Sequence, residues 1–183
     1  MRRSRVAVAQ IAPILGDVEK NLALHEKAAR EAISQSVNLL VFPELSLTGY
    51  FLKDQVTSVA LTEHAPALDV LRNLSHRVAM VVGFVEEAPG HRFHNAAAYL
   101  EGGEIRHIHR KVYLPTYGIF DEQRYLAAGA QVQAFDTALG RMAILICEDL
   151  WHPATAGIAA WDGAEIMLCP SASPGRGTGR DGP

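Results

Sequence analysis

Met142-Ala143-Ile144-Leu145-Ile146-Cys147-Glu148-Asp149-Leu150-Trp151-His152-Pro153 is the stretch that decides how this chain is read. An apolar run ends in a thiol, an acidic-aromatic turn follows, and a helix-prone segment comes next. A buried strand that delivers one nucleophile to its end before a turn and a helix holds that group at the mouth of a pocket. Two other places repeat the layout: Val37 to Pro43 ends in Glu44, and Glu104 to Arg110 ends in Lys111. An acid, an amine and a thiol, each at a strand end, make a candidate cysteine hydrolase site. Taken singly, each has a plainer reading, as an inert core cysteine or as a solvated charge capping a sheet. Their surroundings favour chemistry. Glu44 lies between Pro43 and the turn-prone Ser46-Leu47-Thr48-Gly49-Tyr50, and Lys111 precedes Tyr113-Leu114-Pro115-Thr116-Tyr117-Gly118.

Outward from these stretches, strands and helices alternate. Arg5 to Ile11 reads as a strand with Val6, Val8 and Gln10 facing one way. Asp17 is an N-cap for a helix through Ser34, with Val18, Leu22, His25, Ala29, Ala32 and Ile33 near one face. Val37 to Phe42 is a continuous apolar run, as expected of a strand covered on both faces. Pro66 opens a helix over Ala67 to His76; Val78 to Val85 is a strand. Ala96 to Leu100 and Glu104 to His109 form a hairpin about Gly102-Gly103. Asp121 caps a short helix carrying Glu122 and Tyr125, and Gln131 to Asp136 and Met142 to Ile146 are strands joined through Leu139-Gly140. Thr155 to Trp161 is helix-like, and Glu165 to Cys169 is another buried strand. The expectation is a layered α/β fold with helices packed on sheet.

Composition narrows the function classes. A chain of 183 residues with 49% hydrophobic and 20% charged residues reads as one globular domain with a sizeable core. A net charge of −3 gives no electrostatic case for nucleic acid. Two distant cysteines make no disulfide framework, which fits a reducing compartment, with the cytoplasm as default. Met1-Arg2-Arg3-Ser4-Arg5 looks like a signal n-region, but Gln10 and Pro13 break the apolar stretch behind it. No run is long enough to span a membrane, so no membrane partner is expected.

Phe42-Pro43-Glu44-Leu45 with Thr48-Gly49-Tyr50, then Arg110-Lys111-Val112-Tyr113-Leu114-Pro115, then Cys147-Glu148-Asp149-Leu150-Trp151 resemble the three signatures of the nitrilase superfamily of carbon–nitrogen hydrolases. Order, spacing and flanking residues all match. Leu114 to Tyr125 is most similar to the glutaminase domain of glutamine-dependent NAD synthetases. The resemblance implies an α-β-β-α sandwich with the site at one end of the strands, and a homo-oligomer for the full-length family form. Glu44 would act as general base and Cys147 as nucleophile. Lys111 would stabilise the oxyanion together with the backbone N–H of Glu148. A second carboxylate that orients the lysine is implied at Glu122, which also reads as a first-turn helix acid favoured by the dipole. Tyr117, Trp151 and Ser173 line the substrate pocket or serve as packing groups. No metal or organic cofactor is implied. Activation of this kind predicts that iodoacetamide labels Cys147 before Cys169, through a lowered effective pKa.

Other candidates rank below these. Cys169 ends an apolar strand but lacks the acidic-aromatic turn, so it reads as a buried structural cysteine. His107 and His109 share one strand face, without a third ligand at motif spacing. Gly175 to Gly182 lacks the Gly-Lys-Ser/Thr of a phosphate loop and reads as a disordered tail after a hydrolase domain over 1–174. The resembling family continues there with a long helix and further strands, so a natural short form and a truncated product compete. Truncation is favoured because the missing part would cover one helix layer and complete the sheets. The expected activity is hydrolysis of a small non-peptide C–N bond through a thioester, releasing ammonia. Primary amides, including glutamine-like ones, lead; N-carbamoyl compounds and nitriles follow. The alternative is a non-catalytic remnant or interaction fragment of such a hydrolase.

Overall fold

The structure, a computed structural model, describes residues 4–173, and the tail at 175–183 lies outside them. Five strands stand side by side in sequence order in the first sheet: β1 (Val6–Val8), β2 (Leu39–Val41), β3 (Ala79–Ala88), β4 (Arg92–Glu101) and β5 (Glu104–Arg110). β1, β2 and β3 are parallel, and β4 then runs against both β3 and β5. β2 and β5 therefore point the same way, which brings Glu44 and Lys111 to one end of the sheet. The second sheet is β6 (Ala134–Thr137), β7 (Gly140–Ile144) and β8 (Ile166–Leu168), with β7 antiparallel to β6 and parallel to β8.

The helices are α1 (Val18–Ser34), α2 (Val56–Val59), α3 (Pro66–Ser75), α4 (Glu122–Tyr125) and α5 (Pro153–Trp161). The Asp17 side chain caps α1 by accepting from the Lys20 N–H at 3.0 Å, and Pro66 occupies the first turn of α3, as the sequence predicts. Asp121 does not cap α4 through its side chain. A 3-10 turn at Lys53–Gln55 and α2 are too short to show a helical period in sequence; tertiary contact holds them, since Val56 and Val59 bury against Leu45, Leu52 and Val85.

Two apolar layers form the interior. One face of the first sheet packs on α1 and α3 through Leu40, Phe42, Met80, Val82, Phe84, Ala96, Ala98 and Leu100. The other meets the second sheet, where Leu39, Val81, Ala97 and Tyr99 face Phe135, Met142, Ile144, Ile146 and Leu168. β2 is apolar on both faces because successive residues enter different layers. Phe135 touches Tyr99 and His107, so β6 lies over β4 and β5. β8 is then the opposite edge of a narrower sheet, and β1 has nothing across from it among the described residues.

That width difference corrects one expectation. Glu165 to Cys169 is not a buried strand: Leu168 is buried, while Ile166 is 41% and Met167 36% exposed. Val6 and Val8, facing one way as expected, are also exposed, at 54% and 78%. Cys169 is half-buried rather than buried, its sulfur 3.6 Å from the Ser171 hydroxyl.

Candidate active site

The chain leaves β2 through Pro43 into a turn over residues 44–48, and that turn is clamped from two sides. On one side the Phe42 N–H donates to the Val81 carbonyl and the Leu47 N–H to the Gly83 carbonyl, both at 2.9 Å. The turn lies so close to β3 that a Cβ at Gly83 would meet the Leu45 nitrogen at 2.4 Å and the Pro43 carbonyl at 2.6 Å. On the other side the buried Asn21 and His25 of α1 reach it, Asn21 donating to the Leu47 carbonyl at 2.9 Å. His25 stacks on Phe42 at 4.1 Å and meets the Ser46 hydroxyl at 2.9 Å. Burial pushes the His25 imidazole down to about 4, so it is neutral at pH 7. Glu44 is thus delivered, almost wholly buried, by a rigid turn.

Lys111 follows β5 directly. Its N–H donates to the Asn95 carbonyl and its carbonyl accepts from the Gly129 N–H, both at 2.8 Å. Its ammonium lies 2.7 Å from Glu44 Oε1 and 2.7 Å from Glu122 Oε1, with all three side chains buried. Asn95 donates from Nδ2 to Glu44 Oε1 at 2.8 Å, and the Ala172 N–H donates to Glu44 Oε2 at 3.1 Å. The Tyr50 hydroxyl donates to Glu122 Oε1. Burial works against the lysine charge, but the Glu44 and Glu122 carboxylates outweigh it and raise its pKa. Burial also raises the Glu122 carboxyl, opposed by Lys111 and reinforced by Glu44. One ammonium is thus shared by two buried carboxylates.

Cys147 ends the β7 run in a left-handed backbone conformation, φ 44°, at the start of a 3-10 turn over Cys147–Trp151. A side chain pays a steric cost there, and the Cys147 N–H is anchored to the Pro170 carbonyl at 3.0 Å. Burial, then the adjacent Glu44 carboxylate, pushes the thiol up to about 11; Lys111 and the Ser171 hydroxyl oppose the shift. This corrects the expectation of a lowered pKa. At rest the group is a thiol, and its proton needs an acceptor.

The other anticipated residues fall at different places. Glu122 touches Lys111. Ser173 lines a cavity of about 500 Å³ together with Gln10, Glu44, Tyr50, Phe51 and Ser171. Tyr117 is 59% exposed and donates from its hydroxyl to Glu148 at 2.7 Å; neither residue lines that cavity. Trp151 is 79% exposed and is not brought to the centre. His107 stacks on Phe135 at 4.4 Å, and burial pushes it down to about 4. His109 instead bonds Asp149 at 2.8 Å, so the two histidines do not act as a pair; no cluster of metal-ligating side chains occurs among the described residues.

Sequence reading passed over Tyr50, Asn95 and Asp149. A signal existed for Asn95, the lone amide before the Ala96-Ala97-Ala98 run of a buried strand, where a polar group needs partners. Asp149 lies in the third signature block, but an acid in a turn is ordinarily solvated, so the pattern alone assigns it no role.

Comparison with known proteins follows this geometry. Residues 5–181 match the carbon-nitrogen hydrolase family. The glutamine-dependent NAD(+) synthetase of Thermotoga maritima is 37% identical over 181 residues, covering 95% of this chain and 31% of that protein. The solved glutamine-dependent NAD+ synthetase of Acinetobacter baumannii superposes with a TM-score of 0.83 at 29% identity, over 94% of this chain and 33% of that one. A mutant of an amidase from Nesterenkonia sp. AN1, showing Michael addition of acrylamide at its active site cysteine, gives a TM-score of 0.80 at 26% identity, over 94% and 68% of the two chains. The chain therefore spans about a third of the length of the synthetases it matches, and no helix among its described residues is long and apolar enough to cross a membrane. With three signature blocks at one end of two facing sheets and a family match across nearly all its length, the chain belongs to the carbon–nitrogen hydrolase family.

Proposed function

We propose that this chain hydrolyses a small primary amide, glutamine first among them, through a thioester on Cys147. The observation that carries the reading is the buried Glu44–Lys111–Glu122 cluster beside a thiol held at about 11. Glu44 takes the thiol proton as sulfur attacks the amide carbon, and Lys111 with the Glu148 N–H stabilises the negative oxygen. The C–N bond breaks, and the nitrogen leaves as ammonia with the proton returned by Glu44. Water then attacks the thioester, giving its proton to Glu44 and restoring the thiol as the acid departs. Glu122 and Asn95 keep Lys111 and Glu44 in register, and Tyr117 and Ser173 contact the substrate. Glutamine leads because the similar synthetases are glutamine-dependent. Use of the ammonia by a synthetase partner extends that reading. A thiol nucleophile works in a reducing compartment, so we assign the protein to the cytoplasm.

The test is hydroxylamine trapping. With glutamine and neutral hydroxylamine, the protein forms the γ-hydroxamate and releases ammonia, and Cys147→Ala does neither. Ammonia release that persists in Cys147→Ala refutes the thioester.

A further inference from the structure

One buried carboxylate outside the Glu44–Lys111–Cys147 set joins the two sheets where the reactive groups emerge. Asp149 is fully buried, and its side chain gathers four donors. Its Oδ1 accepts from the Val112 and Tyr113 N–H groups at 3.0 and 2.9 Å. Its Oδ2 accepts from the Ile146 N–H at 3.0 Å and lies 2.8 Å from Nε2 of the equally buried His109. Ile146 immediately precedes the nucleophile, whereas Val112 and Tyr113 immediately follow the lysine. His109, two residues before Lys111, completes the ring from β5.

These bonds cross between sheets. Lys111 belongs to the end of the first and Cys147 to the end of the second, and the sheets meet mainly through apolar contact, which is non-directional. Further polar links run from the Ala138 N–H to Glu101 at the far end of the strands and from the Ala172 N–H to Glu44. Directional bonds to a buried charge are both stronger and more exacting. The bond to Ile146 also closes a loop around Cys147, holding the left-handed backbone at φ 44° that nothing in an unconstrained chain would favour.

We propose that Asp149, seated by His109, is a positioning residue that sets the distance between the Cys147 sulfur and the Lys111 ammonium. It touches no reacting atom. The inference rests on the hydrolase reading for its kinetic consequence, though not for its structural one. Because the carboxylate is acceptor-only, an amide in its place turns a donor toward at least one backbone N–H.

In Asp149→Asn, kcat for glutamine hydrolysis falls about 100-fold while KM stays within about threefold, the pattern of misplaced reacting groups in an intact pocket. Amide exchange shows Ile146, Val112 and Tyr113 losing protection together while the strand interiors keep theirs. His109→Leu gives the same split in milder form, and His109→Gln, whose amide still donates to Asp149, restores kcat. The His109 pair decides the matter if Asp149→Asn does not fold. An unchanged kcat in Asp149→Asn or His109→Leu, or protection lost evenly across both sheets, overturns the proposal. A wild-type protein that hydrolyses no primary amide refutes the hydrolase reading instead, and the exchange measurement still decides whether Asp149 couples the two sites.

Discussion

Cys147 and Glu44 explain each other only as a pair. A thiol near 11 in the resting site is a poor nucleophile at pH 7, because it is protonated and not because it is inaccessible. Adjacent carboxylate charge is part of what raises it, and in the proposed mechanism the same carboxylate is the acceptor that removes the proton during attack. Iodoacetamide, which brings no charge development that Lys111 can exploit, therefore reads the resting pKa. Its rate with Cys147, followed by peptide mass spectrometry, should climb through pH 8, 9 and 10 and level only near 11. A plateau below pH 8 would show a resting thiolate. The sequence marked Cys147 as the reactive position but gave the wrong direction for its pKa, because burial and the charge of Glu44 are properties of the assembled site.

At the scale of elements, the Glu44 turn depends on its two neighbours. Gly83→Ala places a Cβ 2.4 Å from backbone that has no freedom to yield. Overpacking of this kind costs about 1–3 kcal/mol, and here the strain falls on Pro43 and Leu45, the residues before and after Glu44. Urea denaturation should show that loss, and hydrolysis should fall further than stability does. α1 acts from the other side through His25, whose imidazole is neutral in the fold and pushed to about 4. The sign follows from which state binds protons: below the ordinary histidine value near 6.5 the unfolded chain takes up a proton that the folded one refuses. Its stabilising effect is complete above that value and is lost as the pH drops toward 4. Urea midpoints should decline from pH 7 to pH 4.5, and His25→Gln should flatten that decline; an equal slope in the variant would remove His25 from the account. The helix, its cap and the inward place of His25 were legible from Asp17 and the apolar spacing. The partner of His25 was not, since Ser46 lies 21 residues away in the chain.

At the scale of the whole molecule, the mismatch between a five-stranded and a three-stranded sheet leaves apolar surface uncovered among the described residues. Val6, Val8, Ile166 and Met167 are exposed along the β1 and β8 edges, and Ile158 and Trp161 on α5 are exposed at 44% and 90%. Edges with apolar faces invite pairing with other chains. Sedimentation velocity of the purified 183-residue chain should show concentration-dependent self-association. Lysine at Val8 and at Ile166 should suppress it without changing the Cys147 site. A strictly monomeric wild-type chain at high concentration would run against this expectation.

By itself the sequence determined which residues lie at strand ends, because that follows from local pattern. Apolar runs set β2 and β7, the strand-like run Glu104 to Arg110 sets β5, and the ionisable residues that follow them, Glu44, Cys147 and Lys111, take their places from position alone. The resemblance in the blocks around them supplied the two-sheet architecture. Tertiary structure alone decided what those residues become. The shared cation at Lys111, the raised thiol, the inter-sheet bonds of Asp149 and the exposure of β8 each depend on groups far apart in the chain meeting in a low-dielectric interior. Local pattern carries no term for desolvation or for the charge of a distant neighbour, and in this site those two effects set the chemistry.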